Sequence, residues 1–152
     1  AAIGCGGLSR IKAPRIRAIL KGILESRGSL DLGFLGELPL SEAKAWLRTL
    51  PGVGPKTAGC VLLFALGKPV LPVDTHVYRV SRRLGFIDYR VSHERAHQLL
   101  EEIVPSEAIY QFHLNMLAHG RMVCRAQIPL CNRCVLREGC SYEKGAISAA
   151  GS

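Results

Sequence analysis

Four cysteines, Cys124, Cys131, Cys134 and Cys140, fall within seventeen residues at spacings C-x6-C-x2-C-x5-C. Thiolates are soft ligands that suit zinc, Cu(I) or iron–sulfur clusters, and four this close in sequence can form one cage around a metal centre. A disulfide pair or free buried thiols are the plain alternatives, and neither explains why four gather in one short basic segment. The N-terminus does not combine a basic start, an apolar run and a small-residue cleavage site, so nothing points to export or to an oxidising compartment. A structural Zn2+ and a [4Fe-4S] cluster both remain open. Zinc modules usually carry two C-x-x-C knuckles, whereas only Cys131-Asn132-Arg133-Cys134 has that form here, and the uneven spacing favours the cluster. Cys60 leads into Val61-Leu62-Leu63-Phe64 and is expected to be a small buried hydrophobe, while Cys5 in a Gly-rich start has no evident role.

A second constellation lies at Leu50-Pro51-Gly52-Val53-Gly54. Glycines at alternate positions let the backbone take positive φ and approach another molecule without Cβ clashes. The amides of Gly52, Val53 and Gly54, beside the positive end of the following helix, form a natural anion site. In a basic chain the fitting anion is a nucleic-acid phosphate, held without reading base sequence. Val53 is expected to be the apolar plug between the two helices; the plain alternative is a Gly-rich helical corner with no ligand. Lys56 stands one residue past Pro55, where the dipole disfavours its ammonium form and partial burial would act the same way, which suits a nucleophile. Asp74, eighteen residues on, is a carboxylate that could stabilise positive charge building on a sugar as a glycosidic bond breaks. Taken singly, a lysine at a helix start is usually solvated and an aspartate before a helix is usually a cap.

Helical periodicity dominates the chain and no period-2 strand exceeds four residues, which predicts an all-α fold. A first helix is expected from Pro14, at its N1 position, to Ser26, with Ile16, Ile19, Leu20, Ile23 and Leu24 on one face and Gly28 past its end. Ser41 is expected to cap a second over Glu42 to Leu50, with Trp46 and Leu47 on its core face. A third runs from Lys56 to Leu66 with Pro55 at N1 and Gly67 as its stop, joined to the second by the tight glycine turn. Asp74 caps a fourth, Thr75 to Leu84, stopped by Gly85; Ser92 caps a fifth, His93 to Ile103; a sixth covers Glu107 to Gly120. The segments 1–72, with the hairpin at about 42–66, and 73–145, with the cysteine loop 124–140, are expected to form two domains, followed by a tail at 146–152.

At 152 residues and 48% hydrophobic, the chain can bury a real core and is not disordered. Its longest apolar run, Val61 to Leu66, is far short of the roughly 18 to 20 residues that cross a bilayer, so a soluble protein with no membrane partner is expected. Twenty Lys and Arg against twelve Asp and Glu give a net charge of +8 and a pI near 9.5, which suggests a polyanionic partner. The basic residues gather at Lys12, Arg15, Arg17 and Lys21, at Arg79, Arg82 and Arg83, and at Arg121, Arg125, Arg133 and Arg137.

Three separated motifs, Leu50-Pro51-Gly52-Val53-Gly54-Pro55-Lys56-Thr57-Ala58, Val73-Asp74-Thr75-His76-Val77-Tyr78-Arg79-Val80, and His119-Gly120-Arg121 followed by the four cysteines, occur in the order seen in endonuclease III. Over about Gly7 to Tyr142 the chain resembles these helix-hairpin-helix, Gly/Pro…Asp DNA glycosylases. The resemblance implies a partial helical barrel plus an iron–sulfur loop domain. It also implies a [4Fe-4S] cluster on Cys124, Cys131, Cys134 and Cys140, and a basic loop carrying Arg125 toward DNA. Lys56 and Asp74 become the implied catalytic pair, with Gly52, Val53, Gly54, Thr57 and His76 at the DNA phosphates. His113 and His119 are expected to be structural. Relatives that remove adenine from mismatches typically carry Ser at the place of Lys56, and a thymine-mismatch branch Tyr. Lysine therefore implies a bifunctional glycosylase with AP-lyase activity on oxidised or ring-saturated pyrimidines and abasic sites in double-stranded DNA, with the target nucleotide flipped out. A mismatch glycosylase without lyase activity, and a non-catalytic DNA-binding module with structural zinc, are the competing readings. The family's upstream helices have no counterpart here, so weak or absent turnover by this chain alone is expected. A monomer is expected, with association through any face those helices would cover. Reduced thiolates and a DNA partner imply a cytoplasmic, nucleoid-associated location.

Overall fold

The computed structural model describes residues 9–144, and among them it contains helices and turns but no strand. The expected tail from Ala146, Cys5 and the start of the resemblance near Gly7 lie outside the described residues. The chain divides between Lys68 and Pro69 into two compact units.

The first unit opens with helix α1, Ser9–Arg27, which carries Pro14 inside it and not at its N1 position. A proline this near a helix start removes one hydrogen bond, and the helical residues upstream continue the turn past it. Gly28 ends α1 with φ 69°, its N–H donating to the Leu24 carbonyl at 2.8 Å. Of the apolar stripe, Ile23 is buried, whereas Ile16, Leu20 and Leu24 are 43, 46 and 51% exposed. Helix α2, Leu40–Arg48, starts one residue before the expected cap at Ser41, which lies inside it. The fixed backbone of Pro39 (φ −53°) instead presents its carbonyl to the Ala43 N–H at 3.0 Å. Leu47 is buried, and half-buried Trp46 meets Phe34 edge to face at 5.0 Å. Helix α3, Pro55–Cys60, runs directly into one widened π-turn over Val61–Ala65, and Gly67 at φ 64° stops it. Lys68 closes this unit by donating from Nζ to the Leu38 carbonyl at 2.5 Å.

The second unit begins with an irregular stretch whose Val70, Leu71 and Val73 are at most 2% exposed. Backbone buried this way must find partners outside a ladder. The Leu71 N–H donates to Glu101 Oε1 at 3.0 Å, and the Leu71 and Pro72 carbonyls face His97 Nδ1 at 3.3 Å and His113 Nδ1 at 2.8 Å. These contacts anchor the stretch on α5, His93–Ile103, and α6, Ile109–Met122, and deliver Asp74 to the start of α4, Thr75–Leu84. Ser92 caps α5 as expected, its Oγ accepting from the Arg95 N–H at 3.2 Å. A 3-10 turn over Ser106–Ala108 takes the place of the first expected residues of α6. Helices α4 and α6 pack at Gly120, where a Cβ would stand 2.8 Å from that of His76.

Candidate functional site

In the first unit the hairpin joins α2 to α3 through Gly52, the one glycine of the pair in the left-handed region, at φ 76°. Gly54 was expected to share that need and does not: its backbone is extended (φ −92°, ψ −179°) as the residue preceding Pro55. A Cβ at Gly54 would meet nothing within 4 Å, so this side of the turn is open. The Val53 N–H bonds the Leu50 carbonyl at 3.1 Å and Val53 is half-buried, while the amides of Gly52 and Gly54 donate to no described group. No side chain caps α3. Unpartnered amides at a helix start, facing open space, can receive an anion.

Lys56 and Thr57 follow on the first turn of α3, both exposed. The partial burial expected at Lys56 is therefore absent in this chain, and its amine pairs with no described residue. Arg15 of α1 also reaches the turn, its Cδ lying 3.5 Å from where a Gly52 Cβ would be. No spacing in the sequence ties Arg15 to the hairpin, because the two lie on separate elements.

In the second unit Asp74 is half-buried and caps α4 through one oxygen: Oδ1 accepts from the His76 N–H at 2.9 Å and the Val77 N–H at 2.8 Å. Oδ2 accepts nothing among the described residues and remains available to an incoming group. His76 is half-buried, packs over Gly120, and has Nδ1 3.2 Å from Arg79 Nη2. Arg79 in turn donates to the carbonyls of Gly120 at 2.8 Å and Cys124 at 3.0 Å. A run of direct contacts thus leads from the Asp74 cap to the first cysteine. His76, Arg79 and Arg83 recur at helical spacing on one side of α4, a signal already present in the sequence.

Cys124, Cys131, Cys134 and Cys140 all line one small cavity, walled by Leu84, Val123, Leu130 and Tyr142. Cys140 is buried and the other three are half-buried. Cys60, expected to be buried, is half-buried on the first unit. His119 borders the same cavity, with Nε2 3.6 Å from Cys134 Sγ, and burial lowers its pKa from the usual imidazole value. Burial also raises the Cys131 thiol, helped by the nearby Glu143 carboxylate, so a thiolate there calls for a compensating cation. Among the described residues no three His, Cys, Asp or Glu side chains converge closely enough to hold a single ion. Four soft donors around one apolar-walled cavity fit a cluster. Arg125 is exposed on the adjoining loop, beside Arg121 and Arg133, which share with it a shallow pocket over Met122 and Val123. His113 is buried on the Pro72 carbonyl, a structural position.

No helix among the described residues is long and apolar enough to cross a membrane. No family model matches the chain. Endonuclease III of Thermotoga maritima is 38% identical over 136 residues, covering 90% of this chain and 59% of that protein. Endonuclease III of Escherichia coli K12 is 36% identical over 138 residues, covering 91% of this chain and 61% of that protein. A solved structure of a trapped endonuclease III–DNA covalent intermediate superposes with a TM-score of 0.74 at 38% identity, over 93% of this chain and 62% of that one. The chain thus spans about three fifths of the length of these relatives. Over nine tenths of its own length the chain is similar, in sequence and in fold, to endonuclease III.

Proposed function

We propose that this chain serves base-excision repair as a DNA glycosylase with AP-lyase activity, acting on duplex DNA that carries an oxidised pyrimidine or an abasic site. The observation that carries the reading is the match to endonuclease III through the hairpin, with a lysine at position 56. The hairpin amides of Gly52 and Gly54, with Thr57 and Arg15, hold backbone phosphate, Val53 keeping the turn closed through its bond to the Leu50 carbonyl; His76 and Arg125 add contacts from the second unit. Neutral Lys56 Nζ attacks C1′ of the damaged nucleotide, and the C1′–N bond breaks with its electron pair leaving on the base, which takes up a proton. Loss of one proton from the amine then lets the C1′–O4′ bond break, O4′ taking up a proton as a hydroxyl, and leaves a protonated imine (iminium) between Nζ and C1′. Removal of a C2′ proton then expels the 3′ phosphate and nicks the strand. Asp74 is the electrostatic and general-base partner of the reaction, its Oδ2 stabilising the positive charge that develops on the sugar. Cys124, Cys131, Cys134 and Cys140 would hold a [4Fe-4S] cluster, which when bound supplies a rigid anchor for the basic loop.

The reading is tested on duplexes carrying an abasic site, an oxidised pyrimidine or a mismatched base, scoring base release and strand nicking by the purified chain and by Lys56→Ala. Weak nicking by the chain that disappears in the variant is the expected result. Base release without nicking in both would favour a mismatch-type monofunctional enzyme, and duplex binding with neither would favour a non-catalytic DNA module.

A further inference from the structure

We infer that Arg83 is a positioning residue for the cysteine centre, bracketing its first and last thiols and holding the basic loop against α4. The inference rests on the proposed reading of the four cysteines as [4Fe-4S] ligands. Arg83 lies on the last turn of α4. Its Nη1 is 3.4 Å from Cys124 Sγ and donates to the Arg125 carbonyl at 2.6 Å, while Nη2 donates to the Ala126 carbonyl at 2.9 Å. The main-chain carbonyl of the same residue lies 3.3 Å from Cys140 Sγ. Its guanidinium sits over the Tyr142 ring, 4.8 Å from the centroid. One residue therefore touches two of the four sulfurs, two successive loop carbonyls and an aromatic that lines the cavity.

A planar guanidinium suits this task where a lysine would not. Its donors are fixed in a fork, so one N–H can be directed at a sulfur while others hold carbonyls, and its face stacks on an aromatic ring. Once Cys124 is a metal-bound thiolate, the N–H aimed at its sulfur becomes a charge-assisted hydrogen bond that stabilises the ligand. The grip on residues 125 and 126 ties that stabilisation to the loop bearing Arg125, so metal retention and loop order are coupled through Arg83.

The test compares the full chain with Arg83→Gln and Arg83→Lys, reconstituted with iron and sulfide. Circular dichroism checks helix content, absorbance near ~400 nm reads the thiolate-to-iron charge transfer, and iron release to a chelator gives a rate. The expected result is that Arg83→Gln takes up iron and sulfide, shifts its charge-transfer band because the Cys124 sulfur has lost a donor, and releases iron on the order of ten-fold faster, in line with the loss of a supporting hydrogen bond at a metal site. Arg83→Lys, which keeps a cation but not the fork, should restore part of the band position and release iron at an intermediate rate. Wild-type band and release rate in Arg83→Gln would overturn the inference while leaving the cluster reading intact. If Arg83→Gln fails to fold, Arg83→Lys decides alone, a wild-type band and release rate again overturning the inference. A wild-type chain that binds zinc and takes up no iron would overturn the cluster reading and this inference with it.

Discussion

Asp74 combines a local structural task with a proposed chemical one, and two substitutions separate them. Asn keeps a side-chain oxygen for the cap but removes the charge, whereas Ala removes both. Asp74→Ala should lose about 1 kcal/mol of stability through the cap, and Asp74→Asn a smaller amount, measured by chemical denaturation. Asp74→Asn should nevertheless lower single-turnover base excision by about 100-fold, since the charge that meets the developing cation is gone. Equal excision by Asn and wild type would reduce Asp74 to a helix cap. The cap was legible because Asp before Thr75 and a helical run is a local pattern. The linkage from His76 through Arg79 to the Cys124 carbonyl was not, because 45 residues separate Arg79 from Cys124 and only the packing of α4 on α6 brings them together. His119 adds a pH dependence: burial lowers its folded pKa, so below about pH 6.5 the unfolded chain takes up a proton that the folded chain resists. Stability of the chain should fall as pH drops through that range, and His119→Asn should flatten the denaturation midpoint against pH.

At the scale of elements, glycines set how closely helices and loops approach. Gly85 was legible as the stop of α4, and it takes φ 86° as a C-terminal cap. The sequence could not show that Ser141 comes to rest against it: a Cβ at Gly85 would lie 2.3 Å from Ser141 Oγ, which donates to the Leu84 carbonyl. Gly85→Ala should therefore cost more than the roughly 1 kcal/mol of a left-handed alanine, and adding Ser141→Ala should recover only the steric part. Thermal unfolding of the single and double variants separates the two contributions; equal stability of Gly85→Ala and wild type would contradict the packing described. Helix identity was legible throughout, while starts were less so. Pro14 and Ser41 read as N-terminal signals, yet α1 began earlier because residues before the proline were themselves helical, and α2 began earlier because the Pro39 carbonyl served as well as a serine cap. The π-turn at Val61–Ala65 left no mark in the hydrophobic period, which differs little between a normal and a widened turn over five residues.

For the molecule as a whole, the net charge of +8 predicts that the proposed binding to duplex DNA weakens steeply with salt. Arg125→Ala should weaken binding to any sequence alike and reduce the slope of log affinity against log salt by about 1, the signature of one phosphate contact; an unchanged slope would remove Arg125 from the interface. Charge and the hairpin pointed to nucleic acid from the sequence alone, but only the coordinates bring Arg15 to Gly52, because helices distant in sequence share a surface only after folding. The account turns on Lys56 as the amine that bonds to deoxyribose. Its most direct test is borohydride reduction of the chain with abasic duplex, followed by proteolysis and mass mapping of the adduct. The account predicts the sugar remnant on the peptide containing Lys56, and on no other; an adduct on a different amine, or none while the strand is still nicked, would contradict it.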